Sequence, residues 1–186
     1  MPELLAHNVP TAQAKYQVRF DVGLDGLARV GAVDILVWVD SPGSSETDAV
    51  LGALNPSTSV VVAGLTNRRA VAQWVLEQQV ERGRRVSIAV VAAGRDEGFA
   101  SNDLLAAGAV IDALVALGID FTSPEAAVAS AAFEGLRNAV GHLFTASVAG
   151  QELIADGQRE RVTAAARVDS STEVPVLRSA WVASTE

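Results

Sequence analysis

Three places in this sequence set polar side chains directly after an apolar run and directly before a helical pattern. They are Asp40–Ser45 (DSPGSS), Gly64–Asn67 (GLTN) and Gly94–Asp103 (GRDEGFASND). In and beside them stand Asp40, Ser41, Ser44, Ser45, Asn67, Arg68, Arg69, Arg95, Asp96, Glu97, Ser101, Asn102 and Asp103. In an open α/β sheet, ligands bind at the carboxyl ends of the strands. Helix N-termini at that edge offer unpaired N–H groups and a partial positive charge, which suit an anion. The chemistry these junctions fit is therefore the capture of one small anion.

Each residue also has a plainer role. Asp40, at a strand end before a turn, can cap the following backbone. Ser44 and Ser45 fit helix caps, Arg68 and Arg69 a solvated helix face, Asp96 and Glu97 a solvated loop. Asp103 falls in a first helical turn, where a carboxylate is favourable whatever its function. His142 has no serine–acid arrangement pointing to it, and the glycine turns match neither the dinucleotide fingerprint nor the P-loop. What distinguishes the three junctions is their coincidence.

The elements that must position them follow from the apolar pattern. Tyr16–Val22 and Ser59–Ala63 read as strands, and Asp34–Asp40 (DILVWVD) and Val86–Ala92 (VSIAVVA) as strands buried on both faces. Helices are predicted at Ala49–Leu54, Asn67–Arg82 and Asn102–Leu117, and from the Ser123-Pro124 start to about Val140. Thr145–Asp156 reads as a further short helix, Arg161–Val168 as a last strand, Val174-Pro175 as an extended tail and Ser179–Glu186 as loosely ordered. Alternating strands and helices give an α/β fold, a single domain with a mainly parallel sheet and helices on both faces. Asp34–Asp40, Ser59–Ala63 and Val86–Ala92 are its predicted interior. Such a sheet brings Asp40, the Gly64–Asn67 turn and the Gly94–Asp103 loop to one rim, with Asp40 and Asp103 near Asn67 and Arg68.

Composition closes off other classes. There is no cysteine and there are only two histidines, which excludes thiolate chemistry and a histidine-rich metal site. The net charge of −8, with scattered basic residues, excludes the positive face that nucleic acid requires. Hydrophobic residues make up 49% of the chain, but no apolar run approaches the roughly 18 residues of a membrane span. The start MPELLAHNVPTAQAK does not read as a signal peptide, so the expectation is a soluble, cytoplasmic protein without a membrane partner. The alanine-rich stretch from Asn102 onward carries few charges, and a homodimer is a common way to bury such surface.

The segment VAAGRDEGFASNDLLAAGAVIDAL (Val91–Leu114) resembles the 2-phosphosulfolactate phosphatase family, in which a strand ends in Ala-Gly and an acidic pair leads into Leu-Leu-x-Ala-Gly. Here the pair reads Asn102-Asp103. VVVAGLTNRRAVAQWV (Val60–Val75) and Leu143–Leu177 resemble other family segments in the same order. The family's strand ending in Asp is matched at Asp40, but its following Val-Leu-Arg-Ala is Ser41-Pro42-Gly43-Ser44, without the arginine. A middle block of the family is also missing between Leu54 and Ser59, so the chain is similar to a shortened and divergent member.

The resemblance implies magnesium-dependent hydrolysis of a small phosphorylated acid such as 2-phosphosulfolactate. Asp40 and Asp103 would then be the catalytic and metal-holding carboxylates. Ser44, Ser45, Asn67, Arg68 and Arg95 would bind the substrate, and Arg68, Arg69 and Arg95 would replace the missing positive charge. The alternative is a catalytically degenerate relative that binds a small anion or a protein.

Overall fold

The computed structural model describes residues 10, 13–43, 47–95 and 98–180. Strands β1 (Val18–Val22), β2 (Ile35–Val39), β3 (Ser59–Ala63), β4 (Ile88–Ala92) and β5 (Val176–Arg178) form one five-stranded sheet in the order β1-β4-β2-β3-β5. The β1–β4, β4–β2 and β2–β3 ladders are parallel, and β5 alone runs antiparallel, against β3. The three apolar runs expected inside the sheet are its three interior strands. All four parallel strands therefore end on one edge.

Side-chain alternation sorts the strand residues between two cores. Val37, Val39, Val61, Ile88 and Val90 face one side, with Val71 and Val75 of α3 (Arg68–Glu81), the buried stripe of α4 (Ser101–Ala116), and Ala126, Ala129 and Phe133 of α5 (Pro124–Leu136). Leu36, Trp38, Val60, Ala89 and Val91 face the other, against Leu27 of α1 (Gly23–Arg29) and Val50 of α2 (Thr47–Ala53). Helices thus cover both faces. The helix α4 is buried along most of its length within this chain, so its apolar composition needs no second subunit to explain it. Gly108 lets α4 approach α5: a Cβ there would overlap the Ala129 carbonyl oxygen.

Ser123 caps α5 as its sequence predicts, accepting the Ala126 N–H at 3.1 Å with proline next in line. The C-terminal third departs from expectation. Thr145–Asp156 is split between α6 (Val140–Ala146) and α7 (Val148–Ala155), because Ser147 ends one and caps the other through the Gly150 N–H. Arg161–Val168 is not a strand: it overlaps α8 (Arg159–Ala165). Val162, Thr163 and Val168 are β-branched, but only Val162 is buried in that helix and the alanine run favours helix. The β3 edge is taken by β5, which forms from the predicted extended tail. Helix α1 was not legible in the sequence, and of the tail Ser179–Glu186 only residues 179 and 180 lie among those described.

Candidate functional site

At the carboxyl edge, Asp40 follows β2, Gly64 follows β3 and Gly94 lies beyond β4. A cleft of about 250 Å³ opens there. Asp40, Ser41, Pro42, Gly43, Gly64, Thr66, Asn67, Ala165, Ser171 and Glu173 are among the residues that form its wall. Asp40 is half-buried at this cleft. The C-terminal segment is tied over the β3 end by backbone bonds from the Asp169 N–H to the Leu65 carbonyl and from the Ser171 N–H to the Thr66 carbonyl.

Asp103 lies behind this wall, 3% exposed, in the first turn of α4. Its Oδ1 accepts the Ser41 N–H at 2.8 Å and its Oδ2 the Gly94 N–H at 3.1 Å. One carboxylate thus joins the loops that leave β2 and β4. Asn102 adds to the joint: its Nδ2 donates to the Ser41 carbonyl, and to Asp103 Oδ1 at 3.1 Å. Burial pushes the Asp103 carboxyl up to about 7; the Ser41 N–H opposes this, the Asp40 charge adds to it, and the Gly94 N–H opposes it. Asp40 and Asp103 are therefore neighbours at one rim, as topology predicts. Their roles differ: Asp40 lines the cleft, whereas both Asp103 oxygens accept N–H donors.

The other expected residues divide. Asn67 is at the cleft, but its amide holds the turn together: Oδ1 accepts the Gly64 N–H at 2.9 Å, and Nδ2 donates to the Val62 and Glu173 carbonyls at 3.3 and 3.1 Å. Arg68 points elsewhere. It is buried between α3 and α4, 2.6 Å from Asp112, 3.1 Å from Asp169 and over the Phe133 ring. Arg69 also meets Asp169, at 3.2 Å. Arg95 pairs with Glu152 on α7. Ser44, Ser45, Asp96 and Glu97 lie outside the described residues.

One arginine that sequence reading passed over does reach the site. Arg161 of α8 donates from Nε and Nη2 to the Pro42 carbonyl at 3.1 and 2.9 Å, and from Nη2 to the Gly43 carbonyl at 2.6 Å. The strand assignment for Arg161–Val168 concealed it. As a helix, the same segment puts Arg161 and Ala165 one turn apart on a common face.

Among the described residues no group of three or more His, Cys, Asp or Glu side chains converges as a metal cage. Magnesium asks for less, often one or two carboxylates with waters and substrate phosphate oxygens. Asp40 fits that part; Asp103, whose oxygens already accept backbone N–H groups, fits only as a charge behind it. No helix among the described residues is long and apolar enough to cross a membrane.

Fold and cleft define an α/β protein with a small polar site at the carboxyl edge of a parallel sheet. Residues 44–180 match the family model for 2-phosphosulpholactate phosphatase, and the chain belongs to that family. The matched span includes Asn67, Arg68, Arg95, Asn102, Asp103 and Arg161, and begins after Asp40. No curated protein matches the chain.

Proposed function

We propose that the chain hydrolyses the phosphomonoester of a small acid, such as 2-phosphosulfolactate, in the Asp40 cleft. The observation that carries this reading is the family match over a fold whose polar cleft lies at the carboxyl edge, with Asp40 in its wall. Asp40 is the carboxylate that would hold magnesium. Such an ion, when bound, supplies positive charge to the phosphoryl oxygens, where charge must be balanced. Asp103 and Asn102 hold Ser41 and Gly94 so that the two loops keep a fixed spacing. Asn67 fixes its stretch of the wall through Gly64 and Glu173.

A second reading, a relative that binds a small anion without turning it over, is favoured by one observation. Arg68, Arg69 and Arg95 all face carboxylates. A panel of phosphomonoesters that includes 2-phosphosulfolactate, assayed with and without magnesium, separates the two. The hydrolase reading expects turnover that depends on the ion. Binding of the esters without release of phosphate in any condition would leave the anion-binding protein.

A further inference from the structure

We propose that Arg161, beside the Asp40 cleft, is the cation that meets an anionic group of the ligand. The inference rests on the reading of that cleft as an anion site, and adds a residue and a charge to it. Arg161 is exposed, yet its guanidinium is held in place. Nε and Nη2 bond the Pro42 and Gly43 carbonyls of the cleft wall, and Nη1 donates to Gln158 Oε1 at 3.0 Å. Every one of these acceptors is neutral. Among the described residues no carboxylate comes within ion-pair distance of Arg161, so its charge is uncancelled. A guanidinium has five N–H donors; the four bonds above leave one on Nη1.

The described residues that line the cleft include no cationic side chain. Asp40 and Glu173 line it, and both repel an anion. The arginine that family resemblance expects next to Asp40 is replaced by Ser41-Pro42-Gly43. Arg68 and Arg69 face Asp169, and Arg95 faces Glu152. Arg161 delivers a positive charge to the same stretch of backbone from the other end of the chain: Ala165 of α8 lines the cleft, and one turn earlier Arg161 bonds the Pro42 and Gly43 carbonyls. The ligand class is a small organic acid carrying a phosphate ester. A fixed cation beside the cleft favours its binding more than the bond-breaking step.

Two substitutions test this, each first checked for an unchanged melting temperature. Arg161→Gln should raise KM for phosphorylated acids about tenfold, the worth of one charge-assisted hydrogen bond, with kcat within about twofold. Arg161→Lys should recover most of that loss. A fall in kcat with KM unmoved, or no change in either, overturns the inference while leaving the hydrolase reading in place. If the wild-type protein turns over no ester, the hydrolase reading fails and the inference is judged by calorimetry with inorganic phosphate. Binding about tenfold weaker in Arg161→Gln supports it. Equal binding by the two proteins, or none by the wild type, overturns it.

Discussion

Strand β2 starts and ends beside an aspartate, and its two ends treat negative charge in opposite ways. At the amino end, Asp34 accepts the Ser87 N–H and hydroxyl at 2.8 and 2.9 Å and Arg84 at 2.6 and 3.1 Å, with Arg82 at 3.5 Å. Burial alone would raise its carboxyl, but the Arg84 and Ser87 bonds outweigh burial and hold it at about 2. At the carboxyl end, Asp40 is backed by Asp103, whose carboxyl burial pushes up to about 7 against the opposing Ser41 and Gly94 N–H groups. The acid at the amino end is thus met by two arginines, and two acids stand together at the edge where an α/β sheet binds ligands. The amino edge reads as structure. The carboxyl edge reads as a site, with Arg161 on the Pro42 and Gly43 carbonyls beside its acids.

The largest stability effect should come from the amino edge. Asp34→Ala leaves Ser87, Arg82 and Arg84 without their shared acceptor, and should cost about 2–3 kcal/mol. That corresponds to a melting temperature lower by roughly 5–10 °C. A variant as stable as wild type would erase the contrast between the edges.

The pH dependence of stability should separate the two aspartates next. Asp34 has a folded value below its ordinary 3.8, so its stabilisation is complete above about pH 4 and is lost as pH falls toward 2. Asp103 has a folded value above 3.8, so folding takes up a proton between about pH 4 and 7. Its contribution is greatest below that window and is lost as pH rises through 7. The stability gap between wild type and Asp103→Asn should therefore narrow from pH 5 to pH 8, by on the order of 2 kcal/mol. The Asp34→Asn gap should stay constant over the same range and close only near pH 2. Denaturant unfolding at three pH values reads both, and parallel behaviour of the two variants would contradict the assignment.

The smallest effect belongs to Arg84, whose side chain is 58% exposed. Arg84→Gln should cost less than about 1 kcal/mol and cost less still in high salt. A salt-independent loss of the size expected for Asp34→Ala would mean that Arg84, rather than Ser87, anchors the amino edge.

The four parallel strands, the three that lie inside the sheet and the nearness of Asp40 to Asp103 were legible because apolar runs and strand-end acids are local signals. The direction of a long side chain is not local. Arg68 follows Asn67 at a helix start that suits an anion, yet its guanidinium is drawn to Asp112 and Asp169, residues far along the chain. Asn67 looked like a ligand donor and is instead taken by the Gly64, Val62 and Glu173 backbone. Asp103 was identified as an acid of the site, but its bonds to Ser41 and Gly94 depend on how β2 and β4 come together. Arg161 was hidden by a wrong choice of period in RVTAAARV, where one buried valine and three alanines decide for helix.

The most direct test compares the two ends of β2 in one assay. Magnesium-dependent phosphomonoester hydrolysis at 25 °C and melting temperature would be measured for wild type, Asp40→Asn and Asp34→Asn. The expected result is a double dissociation. Asp40→Asn loses turnover by about 100-fold, the scale of one lost transition-state charge contact, and melts within a few degrees of wild type. Asp34→Asn melts lower and keeps its kcat. Full turnover in Asp40→Asn, or turnover lost in a folded Asp34→Asn, would contradict the assignment of the working site to the carboxyl edge.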